Sequence, residues 1–148
     1  MRSLITTGLA CAALSLLTGH AEATPKPVQG RAAVLPLSEG PHLPEKQTAG
    51  CWVPGASDLK RLEAALPTRL APYYRQYLGI TERGRRLIYI NGFSAGKAPN
   101  FRGKYDWRHH AVVADDGGDN FFQAAYDPAT RQITRLSFNG PSVPTKYR

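Results

Sequence analysis

The hydrophobic period of this chain changes near Gly79, from a helical repeat to runs of strand-forming residues. Before that point, apolar side chains recur every three or four residues: Leu59, Leu62, Leu66, Leu70, Tyr73 and Tyr77. This spacing predicts a helix with one buried face, with Ser57 as its N-cap and Gly79 as its C-cap. Because proline disfavours a helix interior by about 3 kcal/mol, Pro67 and Pro72 predict two helical pieces with a break near Pro67.

Strand-forming residues dominate the chain after Gly79. The expected strands are residues 86–92, 109–114, 120–126 and 131–138. Turn-forming residues 115–119 and 127–130 separate the last three, and alternation in the last strand puts Leu136 and Phe138 on one face and Ile133 on the other. The order predicts an α+β fold, in which the broken helix packs on a four-stranded antiparallel meander. This arrangement is cystatin-like in topology.

The N-terminal residues have the pattern of a secretory signal peptide. Arg2 precedes an uncharged apolar run, and Ala21-Glu22-Ala23 forms a small-x-small cleavage site. The run is shorter than the roughly 20 residues that span a bilayer, so we expect no transmembrane segment. Cleavage near Ala23 would place the protein in the periplasm or outside the cell. The expected organisation is a signal peptide (1–23), a Pro-rich tether (24–49), one domain (50–140) and a tail (141–148).

The tether and the cysteine content add two expectations. Five prolines and no regular period predict that residues 24–49 are extended or disordered. Their one apolar patch, residues 34–37, would dock on the domain or on a partner, and we favour the domain. Cys11 leaves with the signal peptide, so Cys51 is the only remaining thiol and no internal disulfide is expected.

The basic charge of the chain is concentrated around a long connection. The formal net charge is +8 at pH 7, and seven basic residues but one acid lie between Arg83 and Arg108. The 15-residue connection Phe93–Trp107 is long enough to suggest function. Arginine and aromatic residues are common interface anchors. The candidate binding residues are Arg85, Arg86, Lys97, Phe101, Arg102, Lys104, Tyr105, Trp107 and Arg108. The alternative is a solvated loop whose aromatic side chains fold back onto the sheet.

Residues 83–140 resemble an uncharacterised group of small exported bacterial proteins. The resemblance rests on four short segments of the chain: GRRLIYING (84–92), DGG with the following FF (116–122), YDP (126–128) and FNG (138–140). These segments consist mostly of strand and turn residues. The resemblance implies an exported protein of similar fold and implies no activity.

One catalytic alternative involves Cys51. A Cys-Trp pair followed by His109 or His110 and then Asn120 has the order found in papain-like enzymes. That chemistry needs a thiol with a lowered pKa at a helix N-terminus, whereas Pro54 and Gly55 lie between Cys51 and the helix expected to start near Ser57. A lone cysteine more often packs as a small apolar residue.

No metal or cofactor is expected. His109 and His110 are adjacent on an expected strand and would point to opposite faces. The acidic turn that starts at Asp115 does not fit an EF-hand calcium loop. It has glycine at position 3 and tyrosine at position 12, where that loop needs ligand side chains.

The sequence therefore favours an exported, non-enzymatic binding module for an anionic or acidic partner, in the role of an inhibitor or an envelope accessory protein. A basic protein favours anionic partners, and export disfavours nucleic acid among them. Two alternatives stay open, a small hydrolase that uses Cys51 with His109 or His110, and a structural envelope factor. The oligomeric state is not determined by these patterns.

Overall fold

The computed structural model describes residues 30–43, 50–94, 105–114 and 117–139. They form one α-helix and five strands: α1 (Ala56–Ala65), β1 (Ala32–Val34), β2 (Tyr74–Glu82), β3 (Arg85–Phe93), β4 (Gly118–Asp127) and β5 (Gln132–Asn139). Two short 3₁₀ helices cover Leu37–His42 and Thr68–Leu70. The expected signal peptide, the C-terminal tail and most of the long connection lie outside the described residues.

The five strands form one mixed sheet in the order β1-β2-β3-β4-β5. Neighbours from β2 to β5 are antiparallel, whereas β1 runs parallel to β2. The α+β class is confirmed, but the expected four-stranded antiparallel sheet is too simple. The additional strand β1 comes from residues assigned to the tether, and the apolar patch beside it docks on the domain as we favoured, with Leu35 fully buried.

The helix is shorter than expected. It begins at Ala56 with Gly55 as its N-cap, so the prediction of Ser57 as the cap is wrong. It ends just before Pro67, as its proline predicts. The second expected helical piece, up to Tyr77, is wrong because residues 74–82 form β2. Nine residues of β2 pair in register with β3, and this ladder satisfies the backbone without a helix.

One face of the sheet carries α1. Leu59 and Leu62 of the helix are buried in a cluster with Tyr77, Ile90 and Phe122 of the sheet. An irregularity between β4 and β5 places Ile133 opposite Tyr126. Ile133 therefore packs against the same cluster as Leu136 and Phe138, and the expected strict alternation in the last strand is wrong.

The other face of the sheet is covered by residues 105–114, so the prediction of a strand at 109–114 is wrong. Side-chain amides of the sheet bind the backbone of this segment in place of a neighbouring strand. Gln76 Nε2 donates to the Trp107 and His110 carbonyls at 2.5 and 2.7 Å, and Gln76 Oε1 accepts from Val112 N at 2.9 Å. Asn91 Nδ2 donates to the Val112 carbonyl at 2.7 Å. The segment is a cover with satisfied hydrogen bonds, as buried backbone requires.

Candidate functional site

The position of Trp52 at the edge of the α1 face is set by β2. Trp52 and Gly79 exchange two backbone hydrogen bonds of 2.9 Å, and the indole Nε1 donates to the Ile80 carbonyl at 3.0 Å. A Cβ on Gly79 would lie 2.2 Å from Trp52 Cδ2. The indole lies directly on the β2 backbone because residue 79 has no side chain.

Arg86 lies on the opposite side of this indole. Its Cζ is 3.8 Å from the centroid of the Trp52 ring, a cation–π contact. Arg86 itself is exposed. Among the residues that the structure describes, no carboxylate pairs with the Arg86 guanidinium. The sheet and Trp52 therefore hold an uncompensated guanidinium at the surface.

Arg85, the preceding residue of β3, has its charge neutralised by a carboxylate. Its guanidinium is paired with Asp127, whose side chain is 5 % exposed against 62 % for Arg85. The hydrogen bond from Arg85 and those from the Ala129 and Thr130 amides hold the pKa of Asp127 below its ordinary value. The turn expected at 127–130 is therefore present, with the carboxylate accepting from Ala129 N at 2.8 Å.

A cavity of about 390 Å³ lies between these groups. It is lined by Trp52, Asp58, Arg85, Arg86, Asp127, Pro128 and Ala129. Asp58 is paired with Arg61 at 2.7 Å, and Asp127 with Arg85. Both carboxylates of the lining thus have a cationic partner, and the charge left over in the wall is that of Arg86.

The other expected binding residues lie elsewhere. Trp107 is 8 % exposed and packs with its ring 5.1 Å from Tyr74 and 5.8 Å from Phe93, measured between centroids. Arg108 is exposed, with Cζ 4.5 Å from the Trp107 ring centroid. The exposed Tyr105 donates its hydroxyl hydrogen bond to the Ala111 carbonyl. Lys97, Phe101, Arg102 and Lys104 lie outside the described residues.

The sheet separates the two parts of the basic region. Arg85 and Phe93 are the two ends of β3, which at about 3.3 Å per residue places them roughly 26 Å apart. Trp107 packs beside Phe93, so Arg86 and Arg108 belong to opposite ends of the molecule. These two candidate binding residues therefore do not form one surface.

The surroundings of Cys51, His109 and His110 bear on the catalytic alternative. Burial raises the pKa of Cys51, which is the opposite of what a thiolate nucleophile needs. His109 Nδ1 lies 2.5 Å from Asp106 Oδ2, and His110 Nδ1 lies 3.4 Å from Glu39 Oε1. Each imidazole therefore has a carboxylate neighbour of its own.

Sequence patterns alone did not identify the cavity, because its lining comes from three separate parts of the chain. In the sequence, Trp52 stands out only through its place after a cysteine, and Asp127 only as a turn residue and as part of the YDP segment. The spacing of the basic residues did point to Arg85 and Arg86. Among the described residues, no three His, Cys, Asp or Glu side chains form a group that could hold a metal ion.

Comparisons of the chain with protein-family models, with curated proteins and with solved structures give no match. In the part of the chain that the structure describes, no helix has the length and apolar character needed to cross a membrane. The geometry of the site is therefore the basis for assigning a function.

Proposed function

We propose that this chain is an exported, non-enzymatic binding module that recognises an anionic or acidic partner at the end of the sheet formed by the β2–β3 turn. One observation carries the proposal: the exposed guanidinium of Arg86 is held on Trp52 beside a cavity, with no carboxylate partner in the described ranges. An inhibitor or an envelope accessory protein would use such a surface. The cystatin-like topology, the resemblance to small exported bacterial proteins and the export itself remain predictions.

Binding is favoured over thiol catalysis by the electrostatics of the two candidate regions. The pKa of Cys51 is raised by burial, so its thiol is a poorer nucleophile at neutral pH. An arginine side chain is always charged in proteins, and stacking on an aromatic ring leaves the edge of a guanidinium open for an anion.

Affinity electrophoresis tests this proposal. The full chain would be run at low salt through gels that contain polygalacturonate or neutral dextran. We expect retardation by the anionic polymer alone, reduced in Arg86→Gln. The matched control is Arg31→Gln, which removes an exposed arginine whose Cζ lies 5.7 Å from the Tyr74 ring centroid, at the other end of β2.

The two variants lose the same charge, so the comparison separates a site from a general effect of net charge. A larger loss of retardation in Arg86→Gln than in Arg31→Gln supports a binding surface at Arg86. Equal losses in the two variants, or no retardation of the wild-type chain, would overturn the proposal.

A further inference from the structure

We propose that the cavity beside Trp52 binds a sugar acid, a hydroxylated monocarboxylate of monosaccharide size, and that Arg86 holds its carboxylate. The inference rests on the proposed function, because it assigns a ligand chemistry to the same surface. Three features of the cavity carry it: a fixed arginine, carboxylates already paired with cations, and a small volume.

The first feature is the orientation of Arg86. Trp52 is held by hydrogen bonds to Gly79 and Ile80, and the guanidinium lies 3.8 Å above the ring centroid. Stacking occupies the face of the guanidinium and leaves its edge N–H groups to donate. Two parallel donors match the two oxygens of a carboxylate, and a guanidinium already held in place loses less conformational entropy on binding.

The second feature is the pair of carboxylates in the same wall. Asp58 Oδ1 accepts from Arg61, and Asp127 accepts from Arg85, Ala129 and Thr130. An ionised carboxylate offers about four acceptor positions, so Asp58 retains acceptor capacity for ligand hydroxyl groups. A ligand that carries hydroxyl groups next to a single negative charge would match this wall.

The net charge of the wall disfavours a more highly charged ligand, because Arg86 is its one cation without a carboxylate partner among the described residues. A phosphate monoester brings up to two negative charges, and both would lie near Asp58 and Asp127. The second charge meets no unpaired cation among the described lining residues, and like charges a few ångströms apart repel each other. A monocarboxylate brings one negative charge, which the guanidinium of Arg86 balances.

The third feature is size. The volume of about 390 Å³ lies at the small end of the range for small-molecule pockets. Pro128, Ala129 and the edge of Trp52 supply apolar walls for the C–H groups of a sugar ring. A single sugar unit, free or at the end of a chain, is the appropriate ligand.

Isothermal titration calorimetry of the full chain with D-glucuronate, D-glucose and glucose 6-phosphate tests the assignment. We expect saturable binding of glucuronate, no binding of glucose and weaker binding of glucose 6-phosphate. Because hydrogen bonds to a charged group are the strong ones, Arg86→Gln should weaken glucuronate binding by about tenfold or more. Arg86→Lys keeps the charge without the planar fork and should lose part of the affinity, whereas Arg31→Gln should bind as the wild type does.

A second readout guards against a variant that misfolds. In ¹H–¹⁵N spectra of the wild-type chain, glucuronate should shift the indole resonance of Trp52 and leave that of the buried Trp107 unchanged. A shift of Trp107 alone, or unchanged affinity in Arg86→Gln, would overturn the site. Equal or tighter binding of glucose 6-phosphate would overturn the ligand class.

Failure of this inference is distinguishable from failure of the proposed function. A chain that is retarded by polygalacturonate through Arg86 but shows no saturable binding of glucuronate refutes the sugar-acid site and leaves the anionic binding module in place. A chain that responds to neither probe refutes both.

Discussion

At the scale of single residues, the packing of this protein depends on two kinds of position. Glycines leave room for aromatic rings on the sheet, and a charged side chain joins a turn to a distant strand. Gly79 and Gly92 both lie under aromatic rings, and a Cβ on Gly92 would be 1.9 Å from Phe122 Cε1. Asp127 joins the β4–β5 turn to Arg85 of β3. Each of these residues acts on an element remote in sequence, so its role follows from the packing.

Gly79→Ala tests whether Trp52 needs the bare backbone of β2. The added methyl group would overlap the indole, and overpacking of this kind costs about 1–3 kcal/mol. The expected result is a lower free energy of unfolding in urea. Lys60→Ala serves as the control, because Lys60 is exposed on α1 and surface changes stay within about 0.5 kcal/mol. Equal stability of Gly79→Ala and the wild type would contradict the packing described for Trp52.

The pairing of Asp127 with Arg85 predicts a pH dependence of stability. The pKa of Asp127 is lowered in the folded state, so the folded protein binds its proton less readily than the unfolded chain does. Its contribution is therefore fully present above the ordinary aspartate pKa of about 3.9 and is lost as the pH falls through the lowered, folded-state value.

Urea denaturation across that pH range provides the measurement. Asp127→Asn keeps an oxygen that can accept hydrogen bonds from the turn amides, but its uncharged side chain cannot form an ion pair with Arg85. The stability difference between wild type and Asp127→Asn should be largest at neutral pH and should shrink in acid. A difference that does not change with pH would argue against the ion pair.

At the scale of elements, the segment 105–114 shows how a strand-like sequence can act as a cover. Its run HHAVVA has strand-forming character, but its backbone partners are the side chains of Gln76, Asn91 and Glu39, with Ala111 N donating to Glu39 Oε2 at 2.7 Å. Propensity cannot distinguish these two outcomes, since buried backbone needs partners and accepts them from either source.

Gln76→Leu tests this cover. The substitution removes three hydrogen bonds to the segment, and each buried group left unsatisfied costs about 1–3 kcal/mol. We expect faster hydrogen exchange of the Val112 amide and a lower free energy of unfolding. Gln132→Leu, at an exposed position at the start of β5, should leave that amide protected. Unchanged exchange at Val112 in Gln76→Leu would contradict the role of the side-chain amide.

At the scale of the whole molecule, the basic residues of the region that the structure describes lie at two ends of the sheet. Arg86 stacks on Trp52 at one end, and Arg108 stacks on Trp107 at the other. With roughly 26 Å between the ends of β3, the two arginines lie well beyond a Debye length of about 8 Å at physiological salt. A ligand the size of one sugar unit would contact one end only.

Additivity of stability changes tests this division. Effects of substitutions at distant sites without shared partners add within about 0.3–0.5 kcal/mol. The unfolding free energy of the double variant Arg86→Gln/Arg108→Gln should therefore equal the sum of the changes in the two single variants. A coupling energy above about 1 kcal/mol in this double-mutant cycle would show that the two arginines share one surface.

Local patterns in the sequence predicted much of the fold and part of the candidate site. They identified the α+β class, the helix that ends before Pro67 and the turn after Asp127, because each depends on neighbouring residues. They also selected Arg85 and Arg86 from the density of basic residues. The prediction of a second helical piece up to Tyr77 was wrong. Tyrosine and leucine residues at helical spacing are also compatible with a buried strand, so the spacing alone did not distinguish the two.

Contacts between distant segments decided the rest. Only the tertiary structure pairs β1 with β2, lays 105–114 on the amide side chains of the sheet, and places Trp52 between Gly79 and Arg86. Hydrophobic period and turn chemistry act over a few residues, whereas the cavity combines residues from positions 52 to 129. The sequence by itself therefore determined which residues are basic, the α+β class and the end of the helix before Pro67, and the folded sheet decided which arginines line the cavity beside Trp52.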